Sequence, residues 1–298
     1  MSNLNITSRK TIEDVIYTEG IGIHSGDLAK IRLLPANVDS GIIFINKKYG
    51  MKSPIKGNVE SIVDTTFAIT LGNSKWKVAT VEHLMASLLI LGVTDVIIEI
   101  DGDEMPIFDG SAKPIIELFN EKRFHHFEKE VNPIKIINPI WVMDGEKLII
   151  ALPSEEPRIS YTINYEQSFV QTQYAHFPLS QDVVLKEIAP ARTYGFEKDV
   201  EYLHRCSYAL GGSLNNALVI SDDSYLNQPR FVDECVRHKV LDFLGDIAFI
   251  GRPLVAYFIV CMSGHTFDVS FAKKIVDIYS NIEVGTIPDI PFKAKKKV

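Results

Sequence analysis

Cysteine is scarce in this chain of 298 residues, which contains only Cys206, Cys235 and Cys261. Their number is odd and no two of them form a CxxC pair, which argues against a disulfide framework and indicates a reducing compartment. A zinc site in this chain would therefore have to use histidine and carboxylate ligands.

Basic residues are too few to give the chain a positive charge. It has 31 Lys and Arg against 38 Asp and Glu, a formal net charge of −7 and a pI near 5.7. A general nucleic-acid binder needs a basic face, and so does a protein that adheres broadly to anionic lipid. We therefore expect no nucleic-acid partner, and an anionic substrate would need a local cluster of Lys, Arg or metal.

Long apolar runs are absent as well. No run reaches the length of a bilayer span, and the polar start of the chain at residues 1–10 lacks the apolar core of a signal peptide. The sequence predicts no stable membrane insertion, a cytoplasmic location and a monomer.

What is present is the composition of an ordinary globular protein, 46% hydrophobic and 23% charged, with enough length for two domains. Each half contains runs of strands and a pair of helices, which predicts an α+β fold made of two similar sheet-plus-two-helix domains. We place the domains at 1–127 and 128–298, because the polar segment 121–132 has the composition of a linker.

Hydrophobic periodicity predicts the elements within each half. Thr80 is a plausible N-cap for a helix that Gly92 ends. The predicted helices are 81–91, 112–122, 180–188, 197–208, 233–250 and 267–281. The predicted strands are 12–18, 28–34, 42–46, 66–71, 93–100, 134–138, 147–152, 158–164, 170–177, 216–220 and 254–261.

The helix at 233–250 carries the most informative polar residues. His238, Asp242 and Asp246 follow one another at intervals of four, so they form a stripe on one face. Burying an imidazole and two carboxylates is costly unless they are paired or bind a metal. Taken alone, the stripe is also explained by an ordinary His–Asp pair.

Residues elsewhere add to this stripe. His83, His238 and Asp242 make a three-ligand N/O set that leaves a fourth position for water, as a catalytic zinc site requires. Glu82 next to His83 matches the pairing of base and ligand in zinc hydrolases, although a lone Glu-His pair is more often a helix start. Asp246 could hold a histidine by hydrogen bonding, and Lys239 could offer positive charge to a phosphate or an oxyanion.

Seven segments together resemble the zinc-dependent UDP-3-O-acyl-N-acetylglucosamine deacetylase family of lipid A synthesis, in order over about residues 20–274. They are Gly-Ile-Gly-Ile-His-Ser-Gly (20–26), Thr-Val-Glu-His-Leu (80–84), Pro-Ile-Phe-Asp-Gly-Ser-Ala (106–112), Ala-Arg-Thr-Tyr-Gly-Phe (191–196), Ala-Leu-Gly-Gly-Ser (209–213), Arg-His-Lys-Val-Leu-Asp-Phe-Leu-Gly-Asp (237–246) and Ser-Gly-His (263–265).

The resemblance implies a role for each matching residue. His83, His238 and Asp242 would bind zinc (Zn²⁺), Glu82 would be the general base, and His265 would donate a proton with Asp246 as its partner. Thr193 and Lys239 would lie near the oxyanion and the substrate. The expected substrate contacts are Tyr165 under the uracil, Lys147 near the diphosphate, and Phe196, Gly264 and His24. Met262 stands where some members have Lys, which affects one phosphate contact.

The resemblance also implies an active site between the two domains and a helical insert at about 194–210 that forms a tunnel for the acyl chain. The expected partner is then a UDP-linked acylated amino sugar. Two alternatives stay open: a metal amidase that acts on another N-acyl sugar, and a non-catalytic sugar-nucleotide binding protein. An apolar lining at 194–210 favours the acylated substrate over the first, and the intact Glu82, His265 and ligand set argue against the second.

Overall fold

The computed structural model describes residues 7–120, 122–165 and 169–279, and within them the chain has a mixed α+β fold, as predicted. Most of the predicted polar start, residues 280–281 of the last predicted helix and the C-terminal charge run lie outside the described residues. No helix among those described combines the length and the apolar character that crossing a membrane requires.

The described strands are numbered in chain order. They are β1 (Ser8–Ile12), β2 (Ile16–Ile21), β3 (Leu28–Pro35), β4 (Ile42–Asn46), β5 (Ile55–Lys56), β6 (Ile62–Asp64), β7 (Thr70–Gly72), β8 (Lys77–Val78), β9 (Val96–Asp101), β10 (Phe124–Glu130), β11 (Ile134–Lys135), β12 (Ile140–Asp144), β13 (Lys147–Leu152), β14 (Arg158–Tyr165), β15 (Gln171–Pro178), β16 (Tyr194–Phe196), β17 (Leu218–Ile220), β18 (Leu254–Val255) and β19 (Tyr257–Cys261).

The described α-helices are α1 (Glu82–Leu91), α2 (Lys113–Glu117), α3 (Gln181–Val183), α4 (Glu197–Arg205), α5 (Glu234–Ala248) and α6 (His265–Tyr279). A π-helical turn over Val184–Ile188 continues α3, and two short 3₁₀ turns lie at Gly50–Lys52 and Val59–Ser61.

The two main sheets share one topology. The first has the strand order β2-β3-β9-β4-β5, with β4 and β9 parallel, and the second has the order β12-β13-β19-β14-β15, with β14 and β19 parallel. In both sheets the strand that comes last in the chain lies in the centre, between two earlier pairs of antiparallel strands. This correspondence agrees with two similar halves, although the boundary between 127 and 128 stays a prediction.

Alternation along the strands explains why each sheet has one covered face. In β3, Ile31 and Leu33 are buried while Lys30 is exposed and Arg32 lies on the same outward face. The buried face of the first sheet packs against α1 and α2 through residues such as Leu88. In the second sheet, residues including Ile149, Tyr161 and Phe258 pack against Phe243 of α5 and Phe271 of α6.

A close crossing of α1 and α5 brings the two halves of the candidate site together. A Cβ on Gly245 of α5 would lie 2.3 Å from the backbone oxygen of Glu82, so this crossing requires glycine. The first turn of α1 therefore lies beside the middle of α5, where His238 and Asp242 are found.

The predicted linker is wrong for most of its length. Residues 124–130 form β10, which pairs antiparallel with β1, with Ile12 opposite Phe124. Exposed residues such as His125 and His126 give β10 a polar composition, while Phe124 is held by stacking on Phe119. Backbone pairing with a strand more than 100 residues away is not visible in a composition.

The predicted N-cap is also wrong. The residue before α1 is Val81, which makes no side-chain cap, and the hydroxyl of Thr80 donates instead to Glu104 at 2.9 Å. Two predicted helices are shorter than expected, because 112–122 holds only α2 at Lys113–Glu117 and 197–208 holds only α4 at Glu197–Arg205. Strands β5, β6, β8, β12 and β16 were not predicted, and β1 was predicted only at Ile12.

Candidate active site

His83, His238 and Asp242 come together in a buried cluster. One possible ligand atom from each lies within 4.8 Å of the others. The Nε2 atom of His238 is 3.2 Å from Oδ1 of Asp242, and the Nε2 atom of His83 is 3.6 Å from the same oxygen. Two imidazole nitrogens and one carboxylate oxygen are a donor set that suits zinc with a position left open, so the residues fit the ion that the sequence predicts.

Backbone contacts set the protonation of His238. Its Nδ1 atom is 3.1 Å from the carbonyl oxygen of Ala191, so Nδ1–H donates and the lone pair stays on Nε2, which faces Asp242. Burial lowers the pKa of His238, which favours the neutral imidazole that binds metals. The ring is therefore held in the tautomer that a ligand needs.

Lys239 supports the carboxylate of the same cluster. Its Nζ atom donates to Oδ2 of Asp242 at 2.7 Å, which leaves Oδ1 facing the two histidines. Burial acts against the charged form of Asp242, but the ammonium group of Lys239, which donates to it, helps to hold the pKa of Asp242 well below its usual range. Asp242 is thus anionic and held in a fixed orientation, as a metal ligand would need to be.

Glu82 is the first residue of α1 and is 4% exposed. Its Oε2 atom accepts a hydrogen bond of 3.0 Å from the backbone N–H of Ile69, which fixes the carboxylate beside His83. Glu82 is not part of the three-residue cluster, although it lines the same cavity. This is the placement expected of a base next to a metal site.

His265 begins α6 and pairs with Asp246, the next residue of the α5 stripe. The distance between Nδ1 of His265 and Oδ2 of Asp246 is 2.8 Å, and Asp246 is fully buried. Burial opposes a charged imidazole, but the charge and hydrogen bond of Asp246 outweigh it and raise the pKa of His265 to about 10. At neutral pH this imidazole is a cation that can give up a proton.

A cavity of about 800 Å³ joins these groups. Its lining combines the polar residues Glu82, His83, Asp242 and His265 with a larger number of apolar residues. The predicted residues Thr193, Lys239, Tyr165, Phe196 and His24 line it, together with Ile23, Phe67, Thr80, Ile107, Tyr194, Gly195, Asp199, Val200, Tyr202, Leu203, His204, Ala209, Gly212, Ser213, Leu214, Ala217, Val219 and His238.

Two predicted substrate contacts are not among the residues that line this cavity. Lys147 is exposed at the start of β13, where it pairs with Asp144. A Cβ added to Gly264 would meet no heavy atom within 4 Å, so this glycine borders open space. Met262, the departure from some family members, accepts a hydrogen bond on its sulfur from the backbone N–H of Asn164 at 2.8 Å. The roles of Lys147 and Gly264 stay predictions.

Sequence reasoning placed Tyr194 in the segment 194–210 but missed its contact with Tyr165, and it missed the structural role of Gly110. Tyr194 lines the cavity, and its hydroxyl is 2.6 Å from that of Tyr165. Gly110 has a φ of +86°, and its carbonyl accepts the N–H of Thr193 at 2.7 Å. A Cβ on Gly110 would lie 2.0 Å from the backbone oxygen of Asn216, so the glycine of the 106–112 segment is needed to place Thr193. The sequence indicates only a turn at this glycine and does not show that it positions Thr193.

Fold and site together define a candidate mononuclear centre of the two-histidine, one-carboxylate type, in a cavity lined by residues of both α+β halves. The family model described as "LpxC: UDP-3-O-acyl N-acetylglycosamine deacetylase" matches residues 9–277. The chain belongs to this family.

Relatives along the whole chain agree. A UDP-3-O-acyl-N-acetylglucosamine deacetylase of Leptospira biflexa is 41% identical over 296 residues, which are 98% of each chain. Proteins of the same name in Thermodesulfovibrio yellowstonii and Myxococcus xanthus are 40% and 36% identical, over 90% and 93% of this chain and 92% and 89% of their own. The resemblance inferred from the motifs is confirmed.

Proposed function

We propose that this protein hydrolyses the N-acetyl group of UDP-3-O-(3-hydroxyacyl)-N-acetylglucosamine in lipid A biosynthesis and releases acetate. The observation that carries the proposal is the buried cluster of His83, His238 and Asp242 in one cavity with Glu82 and His265. The names of the relatives supply the substrate class. We assign zinc as the metal because nitrogen and carboxylate donors with an open position suit it.

His83, His238 and Asp242 would hold the zinc ion. When bound, zinc supplies a Lewis acid that lowers the pKa of a water molecule to about 7 and polarises a carbonyl oxygen. Glu82 then accepts the proton as the water oxygen bonds to the acetamide carbon. The hydrogen bond from Ile69 keeps the carboxylate of Glu82 aimed into the cavity during this transfer.

Negative charge develops on the acetamide oxygen in the same step. Thr193 and Lys239 both line the cavity and carry a hydroxyl and an ammonium group that stabilise this charge. Lys239 has a second task, because it also holds Asp242. Its contribution to the reaction is therefore tied to the geometry of the metal ligand.

His265 completes the reaction by giving its proton to the sugar nitrogen. The bond between the acetyl carbon and this nitrogen then breaks, which leaves a free amine and acetate. Asp246 keeps the imidazole charged and oriented, since the pair is 2.8 Å apart and buried. Without that carboxylate, burial would be opposed only by the smaller effects of Asp242 and Glu82, so the pKa of His265 would fall.

The Asp246→Asn substitution is therefore expected to move the high-pH limb of the rate profile to lower pH. The carboxylate raises the pKa of His265 to about 10, and an acid acts only below its pKa, so a lower pKa narrows the active range from the alkaline side. The measurement is kcat against pH for both proteins, with zinc content determined alongside. If the high-pH limb of the rate profile is unchanged in Asp246→Asn, His265 is not the proton donor.

The apolar part of the cavity lining supports an acylated substrate. Tyr194, Phe196, Val200 and Leu203 of the segment 194–210 line it, as predicted, whereas Leu210 is not among the lining residues. No residue of α4 is buried, so its apolar side chains do not fill a core. They are available to an acyl chain, and we propose that this segment forms the acyl tunnel.

Removal of the acyl chain from the substrate is expected to lower kcat/KM on the order of 100-fold or more, because each CH₂ buried is worth about 0.8 kcal/mol. In Leu203→Asp this preference should shrink. Val232→Asp is the matched control, since Val232 is 92% exposed and lies outside the cavity. Equal kcat/KM values for acylated and non-acylated UDP-N-acetylglucosamine in the unaltered protein would contradict the substrate assignment.

We further propose that the protein acts in the cytoplasm as a monomer. The three cysteines are all free, which suits a reducing compartment, and one chain supplies all the residues assigned above. The alternative of an amidase for another N-acyl sugar is tested by the same comparison of substrates. A non-catalytic binding protein would release no acetate.

A further inference from the structure

Glu104 is a buried carboxylate that the mechanism does not use. It is 5% exposed and follows β9 in the first half of the chain. Its Oε1 atom accepts from the N–H of His24 at 2.9 Å and from the hydroxyl of Thr80 at 2.9 Å. Its Oε2 atom accepts from the N–H and the hydroxyl of Ser25, at 2.8 and 2.6 Å.

Four donors thus converge on one carboxylate. Hydrogen bonds to an ionised acceptor are about twice as strong as neutral ones, so this cluster is an anchor for the turn at residues 22–26. The turn is folded tightly onto the carboxylate. A Cβ on Gly22 would lie 2.2 Å from Oε2 of Glu104, which explains the glycine at this position.

The other side of the same turn holds the end of the helical insert. The carbonyls of Ile23 and His24 accept the N–H groups of Gly211 and Leu210, at 3.0 and 3.1 Å. A Cβ on Gly211 would lie 2.2 Å from the carbonyl oxygen of Gly22, so the two backbones are in direct contact. The ring of His24 also meets that of Tyr208, with centroids 5.3 Å apart.

Glu104 also reaches the start of α1. Thr80 has a φ of +58°, in the left-handed region that a β-branched residue rarely adopts. Its hydroxyl is bonded to Glu104, and Glu82 and His83 follow directly after Val81. The carboxylate therefore connects the turn, the insert and the residues that begin the metal-bearing helix.

We propose that Glu104 is a positioning residue that fixes the turn at residues 22–26 against the end of the insert and so sets the shape of the acyl end of the cavity. Ile23, His24 and Ala209 line the cavity on either side of this contact. Displacement of the turn would move both walls. The part of the inference that concerns the acyl chain rests on the proposed function, while the contact of turn and insert does not.

The Glu104→Gln substitution keeps the size of the side chain but turns one acceptor into a donor that faces other donors. We expect the amides of His24 and Ser25 to exchange with deuterium at least about tenfold faster, as loss of a charged hydrogen bond implies. The amides of Leu210 and Gly211 should become faster with them. Glu19→Gln is the matched control, because Glu19 is a well-exposed carboxylate in β2.

The kinetic arm uses acylated and non-acylated UDP-N-acetylglucosamine. In Glu104→Gln the ratio of the two kcat/KM values is expected to fall about tenfold, with unchanged zinc content. Ser25→Ala, which removes one of the four donors, should show the same changes at smaller size. It keeps the test available if Glu104→Gln does not fold.

Faster exchange at His24 and Ser25 with unchanged exchange at Leu210 and Gly211 would overturn the coupling of turn and insert. An equal fall of kcat/KM for both substrates would show that Glu104 does not set the shape of the acyl end of the cavity. If the unaltered protein does not prefer the acylated substrate, the proposed function fails, and the exchange measurement still decides whether Glu104 holds the insert.

Discussion

The Glu82→Gln protein is expected to keep its zinc and to lose kcat by about 100-fold or more. Glutamine has nearly the same shape. Its amide oxygen can still accept the hydrogen bond that the N–H of Ile69 donates to Oε2 of Glu82 at 3.0 Å in the unaltered protein. It cannot accept a proton from water at neutral pH. The substitution therefore removes proton transfer while it leaves the cavity wall in place.

Two measurements on the same sample separate the possible roles of Glu82. Metal content by elemental analysis reports on binding, and acetate release under saturating substrate reports on kcat. Glu60→Gln is the control, because Glu60 is exposed and lies outside the cavity. A kcat near that of the unaltered protein would exclude Glu82 as the base, and a joint loss of metal and activity would make it a ligand instead.

Substitution of a proposed metal ligand should remove the zinc together with the activity, unlike Glu82→Gln, which should keep the zinc. His83→Ala is expected to lower metal affinity by about 100-fold or more, since even loss of a residue that only orients a ligand costs 10- to 100-fold, and activity should fall with it. His83 supplies one of three ligand atoms within 4.8 Å, and its removal leaves the contact of Lys239 with Asp242 intact. His126→Ala, an exposed histidine on β10, is the control.

Asp242→Ala should lose metal as well and should also be less stable. The side chain of Lys239 is only 19% exposed and would lose its carboxylate partner, so an unpaired charge would remain partly buried. Thermal unfolding of the two variants distinguishes these effects. Full stoichiometric zinc in both His83→Ala and Asp242→Ala would rule out this cluster as the metal site.

Local patterns in the sequence predicted the elements that carry the site. The four-residue spacing of His238, Asp242 and Asp246 places them on one face of α5, and His238 and Asp242 meet His83. Asp246 lies one turn farther along α5 and contacts His265, the residue with which it was predicted to pair. The close crossing at Gly245 that brings α1 to α5 was not predictable, because it depends on a contact between distant segments.

Long-range partners explain the misses as well. Strand β10 has a polar sequence and exists because it pairs with β1, and Thr80 bonds Glu104 instead of capping α1. Nothing in the sequence indicated that Glu104 is buried, since a single acidic residue just after a predicted strand is usually exposed to solvent. Its four donors come from residues 24, 25 and 80, and only the fold brings them to one point.

Acetate release by the zinc-loaded protein tests the proposed reaction most directly. The purified chain is incubated with UDP-3-O-(3-hydroxyacyl)-N-acetylglucosamine, and acetate and the free amine product are quantified together. We expect both to appear in equal amounts, to disappear when the metal is removed by a chelator, and to return when zinc is restored. A fully zinc-loaded, folded protein that releases no acetate from this substrate would contradict the proposed function.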